Sequence, residues 1–272
     1  MSPPPVHFFL HVPKCAGTTV EAHFARTLGP GFLLAPRWRH PLRDVIGNRY
    51  PTLRAEDLAG VRLVSGHSLS VSLKAKFPGR EVRESVLLRD PLSYLVSFYN
   101  YRWARHRERG EPAPPDFPLW RRSQRRNPIA RFLLTRYFEI GVPSVYRLGT
   151  RARFLFLDRA FARFHFVGSW RRCGEAVAGI SRELGVDPEA PHENVGKVGV
   201  LKAADLPQAE VAAILAEHAL DQLLFDRWKD RGFDPAANPP DPEAAAAALP
   251  SGDGPSYLPS DLESALRRKL WR

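Results

Sequence analysis

Three times along this chain a short apolar run stops at a turn and gives way to a helical pattern. That repeat limits the fold more than any other feature. The first run is Phe8-Phe9-Leu10-His11-Val12, followed by a helical stretch from Thr18 to Leu28 with Val20, Phe24 and Leu28 at four-residue spacing. The second is Ser85-Val86-Leu87-Leu88, which breaks at Pro91; the fixed φ of that proline suits the first turn of a helix expected over 92–107. The third is Phe164-His165-Phe166-Val167-Gly168, followed by a helix from Arg171 to Leu184. Val61-Arg62-Leu63-Val64 adds a strand that ends in Ser65-Gly66-His67-Ser68. Strand, short loop and helix in repetition predict an α/β domain with a central parallel sheet flanked by helices.

At 272 residues the chain is long enough for one large α/β domain, which we place over residues 1–234. Residues 30–60 read as loop, with Arg37-Trp38-Arg39-His40 in their middle. Residues 105–126, rich in Pro and Arg, read as an exposed insertion. The stretch 128–163 reads as mostly helical, with Phe132, Leu133 and Tyr137 facing the core. Gln208 to Arg231 reads as one long amphipathic helix buried through Val211, Ile214, Leu215, Leu223 and Phe225. Residues 235–257 have the Pro/Ala composition of a flexible linker. Ser260-Asp261-Leu262-Glu263 then matches a capping box that opens a short amphipathic helix. Packing of that helix back on the domain is the first expectation, and peripheral membrane contact the second.

The formal net charge of +11 predicts an anionic partner: a nucleic acid, an acidic membrane, a polyanionic glycan or a phosphorylated small molecule. A genome that favours Arg codons would give the same excess. Two cysteines, Cys15 and Cys173, make no disulfide framework, and no spacing reads as a metal site. With no signal peptide or membrane span in the pattern, a cytoplasmic setting is expected.

The chemistry concentrates in His11-Val12-Pro13-Lys14-Cys15-Ala16-Gly17-Thr18-Thr19. A strand leads through a tight turn into a helix N-terminus, where unpaired N–H groups and the helix dipole attract an anion. Lys14 and the two threonines complete a pocket for a phosphate or sulfate. The pattern is not a Walker A loop, because its lysine precedes the glycine. A second constellation is Arg89-Asp90-Pro91 with Ser97, eight residues after the arginine. Arg89 leaves the carboxyl end of a strand, where ligands bind in open α/β sheets, and Ser97 lies about two turns along the next helix.

Together these stretches resemble the sulfotransferase superfamily that uses 3′-phosphoadenosine 5′-phosphosulfate (PAPS). The His-x-Pro-Lys-x-Ala-Gly-Thr-Thr form is most similar to the carbohydrate branch that includes the heparan sulfate 2-O-sulfotransferases and bacterial members. The resemblance implies a P-loop-like fold. It implies that the turn Lys14-Cys15-Ala16-Gly17-Thr18-Thr19 binds the phosphosulfate, and that Arg89 and Ser97 take the 3′-phosphate. Leu95-Val96-Ser97-Phe98-Tyr99-Asn100-Tyr101 continues the likeness, while Tyr94 stands where many relatives place an Arg. Gly66-His67 matches a Gly-His whose histidine is the family's proposed base, and His suits that task near neutral pH. Lys197, in Asn194-Val195-Gly196-Lys197, matches a loop that closes over the nucleotide.

The implied reaction moves a sulfuryl group from PAPS to a hydroxyl on a sugar, with an acidic glycan among the acceptors the basic charge would suit, and without a metal. Two other readings compete: an atypical nucleotide-dependent kinase and a basic polyanion-binding module. No nucleic-acid recognition motif appears in the sequence.

Overall fold

The N-terminal apolar run becomes β1 (Val6–Leu10), and all five of its side chains are buried. A strand covered on both faces and flanked on both edges needs such an unbroken run. In the computed structural model, which describes residues 3–36, 50, 52–189 and 199–249, β1 is the middle strand of one sheet. Its companions are β2 (Phe32–Leu34), β3 (Leu63–Gly66), β4 (Val82–Leu88) and β5 (Phe166–Ser169). The order is β2-β3-β1-β4-β5, and every neighbouring pair is parallel. The α/β class with a parallel sheet flanked by helices is therefore as the sequence predicts, and it is consistent with a P-loop-like fold.

The main helices are α1 (Gly17–Leu28), α2 (Pro91–Arg109), α3 (Thr150–Phe161), α4 (Cys173–Leu184), α5 (Gln208–Glu217) and α6 (Ala219–Trp228). Helices α1 and α4 pack together, tied by His23 Nε2 and Ser181 Oγ at 3.0 Å, while α6 rests on α3 and β5. Val20, Phe24, Val177 and Ile180 are fully buried between sheet and helices. Each such side chain contributes roughly 1.5–3 kcal/mol of apolar burial.

From β1 the chain turns to β2 and β3 on one side, then crosses β1 to place β4 and β5 on the other. The crevice at the carboxyl ends of β1 and β4 is thus the topological switch point, the usual ligand position in open α/β sheets.

Several elements differ from expectation. β2 lies in the stretch read as loop: three residues beside Gly29-Pro30-Gly31 are too short to show a period. The long helix 208–231 is two helices, broken where the buried His218 ring turns inward and its Nδ1 accepts the Asn127 N–H at 2.9 Å. The break changes the buried stripe to Ile214, Leu220, Leu224 and Trp228. The Arg-rich insertion is anchored: Phe117 and Trp120 pack with Tyr99, and Arg121 is buried on Glu210 at 2.5 Å and Glu217 at 2.6 Å. Residues up to Leu249, read as linker, include a short helix at Pro242–Ala246 packed on α3, with Ala246 and Leu249 buried. The terminal helix read at 260–271 and the basic stretch Arg37–His40 lie outside the described residues. No helix among the described residues is long and apolar enough to cross a membrane.

Candidate active site

The turn between β1 and α1 has unusual backbone geometry. Lys14 and Ala16 both have φ of 63°, in the left-handed region that costs a residue with a side chain roughly 1–2 kcal/mol. Ala16 is the N-cap of α1 and gives no side-chain cap. Cys15 N–H reaches Val12 O and Thr19 N–H reaches Ala16 O, whereas the N–H groups of Ala16, Gly17 and Thr18 make no backbone hydrogen bond among the described residues. Alternating left-handed residues with free N–H groups form a concave anion nest, and the dipole of α1 adds to its field. Strain held at such a place points to a ligand.

Close packing fixes the floor of the nest. A Cβ on Gly17 would lie 2.0 Å from Cδ2 of His11, so only glycine fits against that imidazole. The Cys15 thiol is buried, and burial pushes its pKa up, so it is an inert part of the floor rather than a nucleophile. Thr18 is exposed and Thr19 half-buried, both on the first turn of α1.

Lys14 stands at the rim with Nζ 4.4 Å from the centre of the Tyr101 ring. Desolvation, and then the neighbouring Arg89, lower its pKa. An anion bound between the two cations would reverse that shift. Arg89 leaves the end of β4 and donates from Nη1 to the Lys14 carbonyl at 2.8 Å, so it holds the turn itself. Its guanidinium lies 4.2 Å over the Trp170 ring, and its Nε is buried without a partner. Asp90 caps α2 by accepting the Ser93 N–H at 2.8 Å, and Pro91 takes the first helical position. Ser97 is half-buried one turn before Tyr101 on the face of α2 that meets Lys14. It lies about 9 Å along the helix from Pro91. No hydrogen bond joins Arg89 to Ser97 among the described residues.

His67 follows β3, the other neighbour of β1. Gly66 makes the turn with φ of 128°, where a Cβ would meet Leu34 Cδ1 at 3.2 Å. The His67 Nδ1 lies 2.8 Å from the His11 carbonyl. A carbonyl only accepts, so Nδ1 carries the hydrogen and Nε2 of the neutral ring keeps its lone pair. Desolvation, then the His11 ring tilted against it at 3.9 Å, lower the His67 pKa; the His11 carbonyl and Glu21 act the other way. The ring is therefore neutral near pH 7, exposed at one edge and bounded by Phe132 at 6.2 Å.

Behind His67 lies a set that sequence reasoning did not assemble. His11 Nδ1 is 2.8 Å from Glu21 Oε1, off the line that a hydrogen bond needs, so the contact is an electrostatic approach. Ser65 Oγ donates to the same carboxylate oxygen at 2.8 Å. Trp170 and Tyr101 were likewise missed as partners of the two cations. The i,i+4 spacing of Ser97 and Tyr101 is the one sequence signal that could have found Tyr101.

The structure thus holds Lys14, Cys15, Ala16, Gly17, Thr18 and Thr19 in one turn that Arg89 braces from the end of β4, with Ser97 one helical turn from the Tyr101 that meets Lys14 and His67 at the end of the neighbouring strand β3. Lys197 lies outside the described residues, although Asn100 clamps the backbone of Leu201 nearby in sequence, at 2.8 and 3.0 Å. In the two basic loop stretches, Arg37 and Trp38 lie outside the described residues, and Arg105 and Arg121 are engaged with Glu111 and with Glu210 and Glu217. Comparison with protein-family models, with curated proteins and with solved structures gives no match to this chain.

Proposed function

We propose that this chain transfers a sulfuryl group from PAPS to a hydroxyl acceptor, with a carbohydrate as the acceptor class. The observation that carries the reading is the strained turn at the switch point, where Lys14 neighbours three N–H groups that have no backbone partner among the described residues. The Trp170-backed Arg89 at the end of β4, with Ser97 on the helix that follows it, offers a second cationic position suited to the 3′-phosphate of the same nucleotide. That second cationic position favours PAPS over ATP.

PAPS supplies the sulfuryl group and a phosphate leaving group. His67 Nε2 would take the proton of the acceptor hydroxyl as its oxygen bonds to sulfur and the bond from sulfur to the phosphate oxygen breaks. Lys14 and the N–H groups of Ala16, Gly17 and Thr18 would neutralise the charge gathering on that oxygen, leaving adenosine 3′,5′-bisphosphate. The Glu21 carboxylate, held by Ser65, would favour the imidazolium formed on His67. Positioning and a fixed positive field are the main requirements of such a transfer.

The test is incubation with labelled PAPS and a panel of hydroxylated acceptors, including neutral and acidic sugars. Label should move to a sugar in the native chain and stay on the nucleotide with His67→Ala. No transfer to any acceptor, together with no binding of PAPS, would overturn the proposal.

A further inference from the structure

Three chemistry-bearing side chains meet at the opposite, amino-terminal edge of the sheet. His7 lies on β1, His165 just before β5, and Glu183 in the last turn of α4, which returns across the sheet from the turn after β5. One ligand atom from each lies within 4.8 Å of the other two. His165 Nε2 is 2.7 Å from Glu183 Oε1, and His7 Nε2 is 3.5 Å from Glu183 Oε2. Among the described residues no other group of three His, Cys or carboxylate side chains comes this close.

The second observation is His7 itself. It is fully buried, and neither of its ring nitrogens has a hydrogen-bond partner among the described residues. Buried polar atoms are nearly always paired, so an orphaned imidazole facing a carboxylate and a second imidazole calls for an explanation. We propose that His7, His165 and Glu183 bind a divalent transition metal of the zinc type. Two imidazoles and one carboxylate are a common donor set for such an ion, and three protein ligands leave a fourth position for water. His165 and Glu183 are partly exposed and give the ion a way in from solvent.

One neighbour competes for the carboxylate. Arg83, beside His7 in the β1–β4 register, donates from Nη1 to Glu183 Oε2 at 2.7 Å. It is also held by both oxygens of Glu81 at 3.1 Å, so the guanidinium keeps a partner when Glu183 turns to the metal. The three residues from His7 to Leu10 put the cluster about 10 Å down the strand from the anion turn. The ion would therefore tie β1, the start of β5 and the end of α4 together and take no part in the transfer reaction.

The experiment is titration of the full chain with Zn2+ and, separately, with Co2+, following melting temperature, bound metal per chain and the visible absorption of Co2+. The expected result is one ion per chain, a rise in melting temperature, and Co2+ bands of low-symmetry N/O coordination. Each should be lost in His165→Gln and in Glu183→Gln, which change partly exposed side chains and leave the fold intact by circular dichroism. His7→Gln should also lose them, but that variant is not needed if it fails to fold. No binding by the native chain would reduce the cluster to an ion-pair network, and binding that survives His165→Gln and Glu183→Gln would place the ion elsewhere. Either result overturns the proposal.

Discussion

At the scale of single residues, the chemistry of the turn depends on what each side chain near it is free to do. His67 is committed through Nδ1, so its reactive atom is Nε2. Replacing it with alanine should lower kcat by about 10²–10⁴-fold, the usual contribution of a positioned base, while leaving the affinity for adenosine 3′,5′-bisphosphate unchanged. Because its pKa is lowered from 6.5, and a base works only when deprotonated, the acid limb of the rate profile should fall below pH 6.5. An acid limb above that value would point to another base. Gly17 is the second informative residue. Because an added Cβ would lie 2.0 Å from the His11 ring, Gly17→Ala should cost about 1–3 kcal/mol of stability by overpacking, read as a lower urea midpoint at unchanged slope. Trp170→Leu should loosen Arg89 and raise KM for PAPS with little change in kcat.

At the scale of elements, two contacts explain how the C-terminal helices are held. Arg121 is buried between Glu210 and Glu217 of α5, so Arg121→Met should cost about 3 kcal/mol by leaving carboxylates uncompensated. His218 sits at the break between α5 and α6, where burial lowers its pKa to about 4. The unfolded chain keeps the ordinary value of 6.5 and so binds more protons between those limits. Stability should therefore fall by up to about 3 kcal/mol as pH drops from 6.5 to 4. His218→Gln should remove that part of the slope. These contacts also mark where the sequence stopped being readable. β1 and the second half of β4 were legible because buried parallel strands read as apolar runs, and α2 because Asp90-Pro91 announces its start; the first half of β4 carries Arg83 and Glu84 and gave no such run. The break at His218 was not, since an inward histidine leaves helical periodicity almost undisturbed and its partner, Asn127, is far away in the chain. β2 was hidden by its length.

At the scale of the whole molecule, the basic charge is less free than the composition suggests. Arg83, Arg102, Arg105, Arg121, Arg151, Arg172 and Arg227 all pair with carboxylates. Such pairs take equal charges of both signs, so the excess of +11 is carried by other side chains, Lys14 and Arg89 at the switch point among them. The anion turn was legible because strand, Pro-Lys, Gly and paired Thr are contiguous and local sterics dictate their geometry. Ser65 on β3, Tyr101 on α2 and Trp170 after β5 come from three other elements, and only the sheet order brings them to that turn. The central claim is a PAPS site at that crevice, and thermal unfolding with adenosine 3′,5′-bisphosphate tests it most directly. At a hundredfold over Kd the nucleotide should stabilise the native chain by about 2.7 kcal/mol, more than ATP does at equal concentration, and Lys14→Ala should largely abolish the shift. An unchanged melting temperature at saturating nucleotide, or a shift untouched by Lys14→Ala, would contradict it.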